Sequence, residues 1–244
     1  MKNVLTKNLK RAINLLEYPE LMGAKRNHIH TGFVKDLLFI KKKLNIIPKT
    51  VLDIGAAIGT YTKAANYILP NAQIYAFEPI PESFQKLESV ARASNDKVKP
   101  FNIALDIKNG ENEFYLNDFS FSSSLLKMSD IHKNEFPFTK NEKKITVACR
   151  RLDKIEEIEI KQPCLVKMDV QGAELRVLEG AGGLIGKFDV IQLEVNFEKF
   201  YYGQAEYDKI FSYMIRNGFN RFIQVDPLYS KTGVLLASDL VFFK

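Results

Sequence analysis

Two of the scarcities in this sequence carry information. There are only two cysteines, Cys149 and Cys164, set without metal-ligand spacing. A disulfide framework and a cysteine metal site are therefore not expected, and a reducing, cytoplasmic compartment suits the chain. No apolar run approaches the ~20 residues needed to span a bilayer. The start, MKNVLTKNLKRAINLLEYPE, lacks an uninterrupted apolar core and a small-residue cleavage site, so no secretory signal is expected. Internal repeats and low-complexity linkers are also missing. What remains is 244 residues, 46% hydrophobic and 26% charged, enough for one large domain with a sizeable core.

The net charge of +6 is uneven, because residues 1–50 hold 11 Lys+Arg against 3 Asp+Glu. The excess, including Lys41, Lys42 and Lys43, lies in the N-terminal fifth. A solvated helical face explains it more simply than a surface for nucleic acid, and no nucleic-acid partner is expected.

Val4, Leu5, Leu9, Ala12, Ile13 and Leu16 recur at helical spacing, predicting an amphipathic helix that ends near Tyr18-Pro19. A second helix is expected over roughly 32–44. Strand-like and helix-like segments then alternate: strands at 50–55, 73–79 and 98–105, with helices at 60–69 and 82–93. Asn109-Gly110 signals a hairpin. Residues 117–142 are polar and turn-rich, and 143–153 read as a strand. The alternation resumes with a strand ending in "CLVKMDV", a helix over 172–186, a strand at 188–195 and a helix at 206–217. "FNRFIQV" and "GVLLASDLVFFK" close the chain as two strands joined by a turn. This order predicts an α/β, Rossmann-like, doubly wound and mostly parallel seven-stranded sheet. An antiparallel strand is expected at its C-terminal end and helices at the N-terminus. Ligands of such sheets bind beyond the carboxyl ends of the strands.

Three strand tips carry candidate ligand groups. "VLDIGAAIGTYT" places Asp53, Gly55 and Gly59 where the first strand ends, in D-x-G-x-x-x-G spacing rather than the G-x-G-x-x-G that seats a pyrophosphate. Glu78 ends "IYAFEP" one strand later, where an acid can accept from a ribose diol. Asn102 and Ala104 mark the third tip. Each signal alone is also readable as ordinary loop and capping chemistry. In order, they describe an adenosine-type pocket and resemble class I S-adenosylmethionine-dependent methyltransferases. A nicotinamide-dependent oxidoreductase and a non-catalytic adenosyl-binding module remain alternatives at this stage.

"LVKMDVQGAELRVLEGAGG", residues 165–183, places charges where a hydrophobic strand meets a helix. Lys167 and Asp169 are two apart on a strand and share a face. A buried lysine there needs a carboxylate, either Asp169 or Glu194 at the tip of the fifth strand. Glu174 sits on the first helical turn, where an acid also suits the helix dipole.

This stretch resembles the K-x-D-x-E-G-x-E signature of the FkbM family of methyltransferases. So do "VLDIGAAIGTYT", "AFEP", "FNIAL", "SSSLL", "RRLDKI" and "IQLEVNF", and the likeness covers about residues 48–200. Two positions depart: Gln171 stands where the family usually has an acid, and Ala57 where it often has Asn. The resemblance implies a class I methyltransferase domain over 49–244 with an insert at about 109–150, preceded by a helical extension or lid over 1–48. It implies O-methylation of a saccharide or small-molecule hydroxyl, with S-adenosyl-L-methionine as donor and S-adenosyl-L-homocysteine as product. It assigns the cofactor to Asp53, Gly55, Ala57, Gly59, Thr60 and Tyr61, then to Glu78 and Pro79, then to Asn102 and Ala104. Asp169 is the expected base or hydroxyl acceptor, with Lys167 tuning its charge and Glu194 and Glu174 as neighbours. His28, His30 and His132 are rival bases. Hard oxygens at Asp169, Glu174 and Glu194 allow a divalent ion, but no spacing demands one, and no metal is expected.

Overall fold

A computed structural model describes residues 18–244; the helix expected over residues 4–16 lies outside them. Two helices come first, α1 (Glu20–Arg26) and α2 (Thr31–Lys42). They are followed by β1 (Thr50–Ile54), α3 (Thr60–Ile68), β2 (Gln73–Phe77), α4 (Pro81–Arg92) and β3 (Val98–Phe101). After an insert, β7 (Cys164–Met168), α6 (Glu174–Gly180), β8 (Val190–Asn196) and α7 (Tyr207–Arg216) resume the alternation, and β9 (Arg221–Tyr229) and β10 (Leu235–Phe243) close it.

The main sheet has seven strands in the order β3-β2-β1-β7-β8-β10-β9. The first five run parallel and the last two pair antiparallel, as the alternation predicts. Every residue of β1 and of β7 is buried, which is why their sequences read as continuous apolar runs rather than alternating ones. One face packs against α1 to α4 through residues such as Leu37, Ala64 and Leu87. The other packs against α6 and α7 through Val177, Leu178, Ile210 and Met214.

The insert departs from expectation. Residues 98–105 do not form one strand: the chain bends at Asn102-Ile103, leaving β3 in the main sheet and sending β4 (Ala104–Leu105) into a second one. That sheet, ordered β4-β6-β5, pairs β5 (Gly110–Asn117) antiparallel with β6 (Glu142–Arg150). Asn109-Gly110 therefore starts a strand whose partner lies some thirty residues on, and no hairpin closes there. A short helix, α5 (Asp130–Glu135), sits between them. Arg176 of α6 grips buried Asp106 with two hydrogen bonds, of 2.7 and 2.6 Å, fastening the insert to the main domain.

Candidate active site

The site begins where β1 runs out. Gly55 adopts φ +77°, and a Cβ there would run into the carbonyl oxygen of Asp169. Only glycine lets the tips of β1 and β7 lie this close. Gly59 (φ +81°) starts α3. Between them Ala57 holds φ +50°, a left-handed conformation that costs an L-residue about 1–2 kcal/mol. Its N–H donates to Glu78 Oε2 at 2.8 Å, and the N–H of Ile80 donates to Oε1 at 2.8 Å. Glu78 thus ties the glycine loop to the exit of β2 and keeps lone pairs on both oxygens. Burial pushes its carboxyl up to about 7 despite those two donors.

Above this loop opens a cleft of about 590 Å³. Gly55, Ala57, Glu78 and Pro79 form its floor, and Ile103 and Ala104 one wall. Phe121, Ser123 and Leu125 of the insert close the opposite side, and Asp169, Val170 and Gln171 form the rim. The insert, legible in the sequence only as a polar, turn-rich stretch, therefore helps line the cleft of the glycine loop.

The other residues assigned to the cofactor lie outside the lining. Asn102 is exposed, and its Nδ2 donates to the carbonyls of Glu78 (2.8 Å) and Pro79 (3.2 Å), stitching the β2 loop. Asp53 is buried, takes a 2.5 Å hydrogen bond from the Thr62 hydroxyl on Oδ2, and leaves Oδ1 without a partner. Thr60 and Tyr61 begin α3, and Tyr61 packs edge-on against Phe33.

At the end of β7 the expected ion pair is present. Lys167 Nζ lies 3.0 Å from Asp169 Oδ2, with the lysine side chain 5% exposed and the aspartate 44%. Burial opposes the charge on each, but their attraction wins: Lys167 is held above the usual amine range and Asp169 below the usual carboxylate range. The last paired residues of β7 and β8 are Met168 and Leu193, so Asp169 and Glu194 follow side by side, and Glu194 stands opposite Asp239 of β10. Burial, then the neighbouring charges of Asp169 and Asp239, pushes Glu194 well above the usual range.

Glu174 is placed differently from that group. Its Oε1 accepts from the N–H groups of Val170 (3.3 Å) and Gly172 (3.2 Å), so it caps its own turn. None of the histidines lines the cleft. His30 caps α2, while His132 is packed among Phe136, Phe200 and Tyr201, and burial drives it down to about 4. Among the described residues, no group of three or more His, Cys, Asp or Glu is placed to hold a metal ion.

The buried acids have a measurable consequence. Burial raises Glu78 and Glu174 to about 7, and Asp36 and Asp239 to about 6. A carboxyl with a raised folded-state value favours folding while protonated, and that contribution is lost as pH rises through the raised value. The thermal unfolding temperature is therefore expected to fall as pH rises from about 4.5 to about 7. A midpoint that climbs steadily across that interval would show that these groups ionise freely in the fold.

A family model for the methyltransferase FkbM domain matches residues 53–221. The chain belongs to the FkbM methyltransferase family. The nicotinamide-dependent alternative falls with that match. Over 194 residues this FkbM methyltransferase is 27% identical to 2-O-methyltransferase NoeI of Sinorhizobium fredii, covering 75% of this chain and 79% of that one. It is 28% identical over 145 residues to hexuronic acid methyltransferase AglP of Haloferax volcanii, covering 59% of this chain and 54% of AglP. The solved methyltransferase domain of bacterial CtHen1 aligns at 10% identity with a TM-score of 0.49, covering 86% of this chain and 97% of that one.

The two departures from the FkbM pattern have local explanations. Gln171 Nε2 donates to Asp169 Oδ1 at 2.7 Å, and its Oε1 accepts from the Tyr201 hydroxyl at 2.6 Å. An acid at 171 has no donor to offer Asp169 when ionised, whereas the amide bridges carboxylate and phenol. At Ala57 the contact that matters is the backbone N–H to Glu78, which needs no side chain.

Proposed function

We propose that this FkbM methyltransferase moves a methyl group from S-adenosylmethionine to a hydroxyl of a saccharide or small-molecule metabolite. The observation that carries this reading is the cleft between the Gly55–Glu78 floor and the Asp169 rim. Its residues fit the cofactor. Glu78 has acceptor capacity for a ribose diol, Gly55 and Ala57 leave the floor free of bulk, and Ile103, Phe121 and Leu125 offer an apolar wall to a flat base. Ionised Asp169 places negative charge beside a sulfonium. The bound cofactor supplies an electrophilic methyl group.

The chain's own residues do the rest. Asp169, ionised and fixed by Lys167 and Gln171, accepts the hydrogen bond of the acceptor hydroxyl and then its proton. The oxygen becomes far more acidic as it is methylated, so a carboxylate with a low pKa is basic enough. Glu194, beside it, is pushed the other way, well above the usual carboxylate range, by burial and by the neighbouring charges of Asp169 and Asp239; this contrast between neighbouring carboxylates favours Asp169 as the acceptor. Lys167 keeps Asp169 charged and aligned.

The cofactor half is tested by isothermal titration with S-adenosylhomocysteine, using NAD as the control. Glu78→Ala removes both the diol acceptor and the loop tie, and affinity is expected to fall at least about tenfold. Unchanged affinity in that variant, or tighter binding of NAD, would place the adenosyl group elsewhere.

A further inference from the structure

We infer that the acceptor docks in a second cleft, beside the end of β8, and that it is a saccharide carrying no carboxylate. This rests on the methyl-transfer reading above and adds the substrate class. Gln192, Glu194 and Asn196 alternate along β8 with Ile191, Leu193 and Val195, which belong to the core on the opposite face. They therefore share the face that carries Lys167 and Asp169.

Gln192 is fully buried, and its Nε2 lies 3.4 Å from Asp36 Oδ2 and 3.3 Å from Asp239 Oδ2. Those contacts fix the amide, and its Oε1 is left buried without a partner. Asn196, 5% exposed, likewise has an unpartnered Oδ1. Unpaired buried acceptors are costly; Gln192 lines neither cleft, whereas Asn196 does line one, and its Oδ1 asks for a ligand that donates a hydrogen bond.

Asn196 lines an open cleft of about 560 Å³ together with Phe197, Glu198, Gln204, Glu206 and Tyr207. The rings of Phe197 and Tyr207 lie 5.5 Å apart, and Tyr207 is 48% exposed, presenting an aromatic surface at the opening. Stacking surface together with carboxylate and amide acceptors matches a sugar ring, which has apolar C–H faces and a rim of hydroxyls. Asn196 lies two residues beyond Glu194, about 7 Å along the strand, which puts this cleft next to the Asp169–Glu194 pair.

Charge decides the class of sugar. Among the described residues of this stripe and cleft, the lysines Lys167 and Lys199 are each held by a carboxylate, Asp169 at 3.0 Å and Glu206 at 2.6 Å. In the cleft itself Glu198 adds a carboxylate without a lysine or arginine within ion-pair distance. A uronate would enter a negative field without a free cation to meet it, whereas hydroxyl or amino groups satisfy the waiting acceptors.

The test is calorimetric titration of the full chain, in the presence of S-adenosylhomocysteine, with methyl glycosides and the matching methyl glycuronides of the gluco and galacto series. The neutral glycosides are expected to bind at least about tenfold more tightly than the glycuronides. Tyr207→Ala is expected to weaken glycoside binding about tenfold without changing S-adenosylhomocysteine affinity. Glu198→Lys, in the lining of the same cleft, is expected to raise glycuronide affinity. Equal or tighter glycuronide binding overturns the inference, as does a Tyr207→Ala protein that binds glycosides like wild type. Failure of every sugar to bind while S-adenosylhomocysteine binds overturns it too. Failure of S-adenosylhomocysteine itself to bind instead overturns the donor reading on which it rests.

Discussion

Asp169→Asn is expected to lower kcat by about 10²–10⁴-fold, the contribution typical of a positioned proton acceptor, while S-adenosylhomocysteine binds as it does to wild type. The substitution is nearly isosteric. Its carbonyl oxygen can still accept from Lys167 at the 3.0 Å position now taken by Oδ2. What disappears is the charge and the ability to take a proton. The Gln171 amide, 2.7 Å from Oδ1, then meets the Asn Nδ2 and must turn over to offer its oxygen, with its NH2 group passing to the Tyr201 hydroxyl. The floor of the cleft at Gly55, Ala57 and Glu78 is untouched, so donor binding separates cleanly from turnover. Full activity in the Asn variant would remove Asp169 from proton transfer and leave Glu194 as the surviving candidate on that rim.

The second large effect is on stability. Lys167 is buried beneath the rim, with Asp53 on the neighbouring strand, Asp169 at 3.0 Å and the Tyr61 ring at 6.0 Å. Burial opposes its charge, yet Asp169, Asp239 and Asp53 together hold it in the ammonium form. Lys167→Met keeps the length and apolar stem but strands Asp53, already missing one hydrogen bond, in a low-dielectric layer. Removing one member of a buried pair costs about 3–5 kcal/mol, and the half-exposure of Asp169 points to the lower end, about 3 kcal/mol. Urea unfolding measures it directly. A Lys167→Met protein as stable as wild type would show that the carboxylates of this layer are protonated and need no cation.

Much of this was legible from residue order. The parallel strands announced themselves as apolar runs because both of their faces are covered. The Lys167–Asp169 pair followed from a strand's two-residue period and the cost of a lone buried amine. Glu78 and Gly55 were readable because strand tips are where glycine and acids have few structural reasons to recur together. The failures have one physical origin, non-local contact. Nothing local to residues 98–117 says that β4 and β5 will both pair with β6, so the bend at Asn102-Ile103 and the true start of β5 stayed hidden. Likewise, Phe121 reaches the cleft of the glycine loop through non-local folding of the insert, which its own sequence does not announce. For Glu174 both readings were available in the sequence, a neighbour of Asp169 and a helix-start acid, and its hydrogen bonds to the N–H groups of Val170 and Gly172 fit the second. One signal was available and unused. Gln192 and Asp239 interrupt the apolar runs "VIQLEV" and "LLASDLVFF", and polar residues in such runs mark a buried network on that face.

The most direct measurement supplies S-adenosylmethionine carrying a carbon-13 methyl group to the purified protein with a mixture of glycosides, and follows the label by carbon NMR. The account requires a new O-methyl resonance on a sugar, accompanied by S-adenosylhomocysteine and absent in Asp169→Asn. Tight binding of the donor with no transfer to any hydroxyl, or label appearing on nitrogen, would contradict it and leave the cleft as an adenosyl-binding site with different chemistry.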